Sequence, residues 1–306
     1  MKQRNMSAIK VTGLHTYPFK SCAGLSLEEA RLTPSGFEHD REFMVVDDDG
    51  DFVSQRKVPE LALVVPMMAD SSVTLAAPGM ERVDIPFHIE RDDEKLVIAT
   101  VHEKPVAGQV VSEELNDWFT TFLPRYKQNN RFRLLHVRDD RPRYVSERYR
   151  RSDASNRVGF ADGHPILLAA ESSLARLNAE MDDAVPMNRF RPNIVINGEG
   201  LPAYDEDFWT RIRVGDVDAF VVKACDRCVV PDVDQDTAIT GKAVRRALTT
   251  RRGVNAHDDS NTGVFFAQNL NHVYRPGLRV RLGDRVQVLE RSTEANVVLR
   301  TGYALV

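Results

Sequence analysis

Leu278, Val280 and Leu282 alternate with Arg279 and Arg281; Gly283-Asp284 interrupts, and Val286 and Val288 then alternate with Arg285 and Gln287. A two-residue period over such a stretch marks strands with one face on a core. A helix would repeat its apolar positions every three to four residues instead. Upstream, Ala8 to Tyr17 is a short β-type run. Residues 41–56 read as a hairpin turning at Asp49-Gly50, a pair that supplies the positive φ a tight turn needs. The chain is expected to be mainly β, of the α+β kind, with a few short helices. Ser112 caps one of these, with Glu113 and Glu114 in its first turn and Leu115, Trp118, Phe119 and Phe122 on one face. A second begins near Ser172 and carries Leu174, Leu177 and Met181, and a short third covers Lys242 to Leu248.

Length allows two domains of ordinary size in 306 residues. The charged stretch from Arg138 to Arg157 reads equally as a link between domains or as a solvated loop within one. A net charge of −4 argues against a nucleic acid duplex as partner. Three cysteines, Cys22, Cys225 and Cys228, make no disulfide framework and fit a reducing compartment. No segment approaches the roughly 20 apolar residues of a membrane helix, and the start of the chain lacks a signal-peptide stretch. The expected location is the cytoplasm, with no membrane association.

The most specific short motif is Lys223-Ala-Cys225-Asp-Arg-Cys228. A zinc half-site would need two further ligands at short spacing, which the sequence lacks. A thioredoxin-type pair should open a helix, whereas Val229-Val230-Pro231 follows here. Two readings stay open: a pair of small buried residues, or one thiolate on a soft metal, activated by Arg227 and Lys223. Asp232-Val-Asp234-Gln-Asp236 imitates a calcium loop, but Thr237 and Ala243 stand where Gly and Glu are required, so an acidic surface turn is expected. Lys20-Ser21, Arg41, Arg56 and Arg191-Pro192-Asn193 pair cations with turn residues, the donor set a phosphate-bearing ligand needs.

Taken together, these blocks are recognisable. Tyr17-Pro-Phe-Lys20-Ser21-Cys22-Ala-Gly24, Gly36 and Asp40-Arg41-Glu-Phe-Met44 resemble the N-terminal β-barrel domain that precedes MOSC domains. Phe160-Ala-Asp162-Gly163-His164-Pro165, Phe190-Arg191-Pro192-Asn193, Cys225-Asp-Arg-Cys228 and Phe265-Phe266-Ala267-Gln268-Asn269 resemble the MOSC domain itself. The resemblance is to YcbX-like proteins and mitochondrial amidoxime-reducing components, and it spans nearly the whole chain in order. It implies an N-terminal β-barrel domain over 7–128, a charged connecting segment over 129–157, a MOSC β-barrel over 158–291, and a tail or strand over 292–306.

The resemblance also implies a molybdenum-molybdopterin cofactor with Cys228 as the protein's metal ligand. Cofactor contacts fall by motif position on Lys20, Ser21, Arg41, Arg191, Asn193, Asp226 and Arg227, with Arg56 added on charge grounds. Asp162 and His164 occupy the loop beside the metal as catalytic candidates. Asp226 stands where the mitochondrial relatives have Ser, and Ala267 replaces a Gly that often follows the Phe. Cys225 is expected to pack. The implied activity is reduction of N-hydroxylated compounds such as hydroxylaminopurines and amidoximes by oxygen-atom transfer. Electrons would come from a separate flavin or iron-sulfur protein, because no cysteine follows Cys228 to hold a cluster in this chain. The alternative is a molybdenum cofactor or sulfur carrier module without its own turnover. Pyridoxal phosphate is not expected, as no lysine sits in a Schiff-base setting.

Overall fold

A computed structural model describes residues 8–124, 131–252 and 263–295. Seven strands close into a barrel. Ile9–Thr16 pairs with Ile194–Asn197, which runs parallel to Ile166–Ala170. Ile166–Ala170 pairs with Phe265–His272, then Val217–Asp226, then Trp209–Val214, then Arg285–Arg291, which returns to Ile9–Thr16. Closure leaves the barrel no free sheet edge. Its interior is apolar, with Leu14, Leu168, Ile196, Trp209, Ile212 and Leu270 at 2% exposure or less.

A second sheet of four antiparallel strands runs Phe43–Val46, Arg133–Val137, Lys104–Val110, Leu96–Val101. It stays open as a half-barrel. Phe43 and Val45 meet helix α1 (Glu113–Phe122) through Leu115, Trp118 and Phe119. Met44 and Val46 face the other way, onto Ala99, Val101, Leu135 and Phe160. With both faces covered, this strand is a continuous apolar run rather than an alternating one. Ile9–Thr16 belongs to the barrel, Ala30, Leu32 and Phe37 pack into the barrel's core, and the half-barrel is built from strands between Phe43 and Val137. The cleft described below lies where the two meet.

Most expected elements form. Ser112 caps α1, its Oγ accepting from Leu115 N at 3.2 Å. The turn at Asp49-Gly50 forms with Gly50 at φ 81°. Helix α2 covers Glu171–Asn178 and ends before Met181, which lies in the turn beyond it. Helix α3 runs further than the apolar spacing indicates, over Ala243–Arg252. The alternating segment near the C-terminus forms two strands that do not pair with each other: Arg279–Arg281 joins Glu29–Thr33, and Arg285–Arg291 joins the barrel. It is a corner between sheets. The acidic turn is more than surface: Asp232 is 5% exposed, and its Oδ1 accepts from Arg245 N at 3.1 Å, capping the first turn of α3. The stretch from Arg138 to Arg157 is tied down throughout. Arg138 is 4% exposed between Asp93 and Asp140, and Arg143 donates to the carbonyls of Gly159, Ala161 and Asp162. Residues 296–306 of the expected tail lie outside the described residues.

Candidate active site

The eleven residues singled out above as site candidates all line one cleft. Asp226 ends a strand, Arg56 lies in a turn, and the others lie in segments that precede or follow strands. Lys20 and Ser21 follow Ile9–Thr16, Arg41 precedes Phe43–Val46, and Arg56 comes after the Asp49-Gly50 turn. Asp162 and His164 precede Ile166–Ala170, and Arg191 and Asn193 precede Ile194–Asn197. Asp226, Arg227 and Cys228 lie at the end of the long strand Val217–Asp226. Ser21, Arg41 and Arg191 all hold left-handed backbone, at φ 70°, 52° and 55°. Non-glycine residues pay for that conformation, and such outliers concentrate at ligand sites.

One wall is organised by two residues the sequence reading left out of the site. Asp40 is 5% exposed. Its Oδ1 accepts from Tyr17 N at 3.0 Å, Arg41 Nη1 at 2.7 Å and Asn193 Nδ2 at 3.0 Å. Tyr17 supplies a platform: the guanidinium carbons of Arg41 and Arg191 lie 4.2 and 4.3 Å from its ring centroid. Its hydroxyl donates to Pro192 O at 3.1 Å, and burial pushes its pKa up to about 12 although both arginines pull it down. Gly24 makes room, since a Cβ there would lie 2.3 Å from Tyr17 Cε1. Arg191 is 8% exposed, and burial brings its pKa down to about 10. Its Nη1 donates to Gln235 Oε1 at 3.2 Å, but its Nη2 is buried without a partner. A buried guanidinium NH2 without an acceptor is costly. An anion in the cleft would satisfy it.

The opposite wall is closed upon itself. Lys20 is 5% exposed; it ion-pairs with Asp162 and sits 4.9 Å from the Phe52 ring centroid. Burial lowers its pKa, and Asp162 only partly restores it. His102 Nε2 lies 3.2 Å from Asp162 Oδ1 and 3.4 Å from Arg56 Nη2. The Asp162 side chain is 64% exposed within the cleft. Crowding by the protein works against its charge, yet Lys20 and His102 outweigh this and hold the carboxyl well below the usual range. His164 Nδ1 lies 3.0 Å from Asn271 Oδ1, and burial takes its pKa down to about 4. Its burial favours the neutral imidazole.

Of the two cysteines of the motif, Cys225 differs from expectation. Cys225 does not pack in the core: it is part-exposed, lines the cleft, and accepts from Arg227 Nη1 at 3.0 Å. Lys223 stands by the Tyr149 ring, 5.8 Å from its centroid, rather than activating a thiol. Cys228 also lines the cleft, and Val230 N donates to its Sγ at 3.5 Å. Burial opposes the charge on Arg227, while the sulfurs of Cys225 and Cys228 favour it and the pKa ends above the ordinary value. Cys22, fully buried, has its thiol pushed up to about 12 and stays protonated. Among the described residues, no three His, Cys, Asp or Glu side chains converge on a metal position.

Residues 8–126 match the family described as the MOSC N-terminal beta barrel domain, and residues 155–287 match the MOSC domain. The chain is 32% identical to mitochondrial amidoxime reducing component 2 of Bos taurus over 269 residues, 86% of this chain and 77% of that protein. It is 31% identical to component 1 of Mus musculus, over 91% of this chain and 82% of that one. Against component 1 of Homo sapiens the identity is 30%, with the same coverage on both sides.

Proposed function

This chain belongs to the MOSC-domain proteins, in the branch that holds the mitochondrial amidoxime-reducing components, and on that premise we propose that it is a molybdenum-cofactor-dependent reductase of N-hydroxylated compounds. The observation that carries the proposal is the pairing, in one cleft, of a thiol at Cys228 with a buried arginine whose Nη2 lacks an acceptor. A pterin cofactor brings a phosphate and its own sulfur ligands to the metal. The cleft offers the two complements it needs, a charge-assisted donor set and one soft ligand.

In this reading Arg191 and Arg41 would hold the phosphate end, pre-ordered by Asp40, by the Tyr17 ring and by Asn193, whose Oδ1 accepts from Arg41 Nη1 at 3.2 Å. Cys228 Sγ would bind the metal, with the Val230 amide N–H directed at it from 3.5 Å. Arg227 bridges Cys225 and the Phe190 carbonyl, 2.9 Å from its Nη2, and so fixes the loop between the cysteines. A bound cofactor would supply two-electron reducing chemistry at an N–O bond. The overall reaction consumes two electrons and two protons and returns the amine or amidine plus water. The protein positions substrate and cofactor and excludes competing ligands. Lys20 and Asp162 keep opposite charges facing the cleft, where the substrate's N–O group would lie. Hydroxylaminopurines and amidoximes are the substrate classes we favour, with electrons from a separate protein.

The test is turnover. Protein produced in a host that makes the cofactor, supplied with reduced methyl viologen and an amidoxime, should release the amidine, and Cys228→Ser should abolish release. Equal turnover by the two proteins would remove Cys228 from the role assigned to it.

A further inference from the structure

The proposed reaction needs two electrons, and they must enter near Cys228. The chain that follows that residue leads to one surface. Val230–Asp232 forms a short 3-10 turn two residues beyond it, and α3 is anchored on this turn through Asp232 Oδ1 and Arg245 N. The outward side of α3 and its approach carry Lys242, Arg245 and Arg246, all exposed. Among the described residues none of the three forms an ion pair. Beside them stands Ile239, 69% exposed, the most exposed large apolar side chain among the described residues.

The loop that presents Ile239 is not loose. Asp234 Oδ1 accepts from Asp236 N, Thr237 N and Thr237 Oγ1, and Asp234 Oδ2 accepts from Arg189 Nη2 at 2.7 Å. Ala238 is held at φ 59°, and Ile239 N donates to Thr237 Oγ1 at 3.3 Å. The same loop reaches the cleft from its inner side, where Gln235 exchanges hydrogen bonds with Gln55 and accepts from Arg191. A rigid loop thus links the cofactor-facing Arg191 to a basic surface with an apolar centre. On a chain of net charge −4 this patch is a local reversal of sign, with Asp236 its one exposed acid among the residues of the loop and the helix start.

We propose that Ile239, Lys242, Arg245 and Arg246 form the docking surface for the electron donor, and that the donor is a small acidic redox protein. The inference rests on the reductase reading. An apolar anchor inside a charged rim is the ordinary anatomy of a transient interface, and complementary charge speeds encounter and confers salt dependence. Electron transfer also falls steeply with distance, which favours a donor seated against the element that follows Cys228.

The experiment uses the loaded protein and two acidic probes, a plant-type ferredoxin and a flavodoxin. Their binding is measured by calorimetry at low and high salt, alongside turnover driven by methyl viologen. Arg245→Glu/Arg246→Glu should weaken binding of at least one probe by tenfold or more and abolish its salt dependence, and Ile239→Ser should weaken it several-fold. Viologen-driven turnover should be unchanged in both variants. Binding equal in wild type and the charge-reversed variant overturns the proposal, as does failure of both probes to bind wild type. Retention on phosphatidylserine vesicles in place of the probes, lost with the same charges, overturns it in favour of a lipid surface. Absence of viologen turnover in wild type rejects the reductase reading instead, and the binding arm still reads the surface.

Discussion

The two walls of the cleft hold similar charges in opposite states. On one, Lys20, Asp162, His102 and Arg56 form a string in which each group has a neighbour. On the other, Asp40 satisfies Arg41 and Asn193 but Arg191 keeps a buried donor open. The first wall is complete as it stands, and in the proposed reading the open donor of the second receives an anion. The contrast separates residues that maintain the cleft from those that bind in it, and it can be broken at several points.

The largest effect is expected at Asp40. Asp40→Ala leaves Arg41 buried without its carboxylate and Tyr17 N without an acceptor, so unfolding free energy should drop by about 3–5 kcal/mol in denaturant titration. A loss below about 1 kcal/mol would show that the second wall is not organised from this residue.

The pH dependence of stability probes the first wall. The folded pKa of His164, about 4, lies below its unfolded value near 6.5, so protonation favours the unfolded chain. Its contribution is complete above pH 6.5 and is lost as pH falls toward 4. It amounts to as much as about 3 kcal/mol. Urea midpoints should fall across that window and fall less in His164→Gln; parallel curves would sink the assignment.

Arg191→Gln separates binding from folding. A charge-assisted hydrogen bond is worth about 1.5–3 kcal/mol, so cofactor affinity should fall roughly tenfold to a hundredfold while the thermal midpoint barely moves. Metal content unchanged on dialysis would count against the open donor as an anion site.

Gly24→Ala drives a methyl into the Tyr17 ring and should cost about 1–3 kcal/mol, with partial loss of cofactor because both arginines lose their platform. A fully stable variant with normal metal content would mean that the platform is dispensable.

The smallest effect serves as a control away from both walls. Ala267 is buried at φ 71°, the conformation that suits the glycine it replaces. Relief of strain in Ala267→Gly is offset by the lost methyl, so stability should change by less than about 1 kcal/mol, with no change in cofactor content.

What the sequence made legible was local. The Ser112 cap, the Asp49-Gly50 turn and the start of each helix depend on neighbours a few residues apart, and they form where read. The basic and cysteine motifs could be read as blocks because each keeps its donors within a short stretch. The organising contacts could not. Asp40 meets Asn193 across 153 positions and Tyr17 meets Pro192 across 175, so no short window contains either pair. The two strands near the C-terminus form where the period places them, but period fixes a strand's faces and leaves its partners open. Cys225 looked like packing because spacing alone says nothing of the Arg227 guanidinium that claims it.

The central claim is that Cys228 and the open wall together hold a molybdenum cofactor. Elemental analysis of protein from a cofactor-synthesising host tests it most directly, with wild type beside Cys228→Ala. The account predicts close to one molybdenum per wild-type chain and little or none in the variant. Equal metal in both, or none in wild type from a host that loads a control molybdoenzyme, would contradict it.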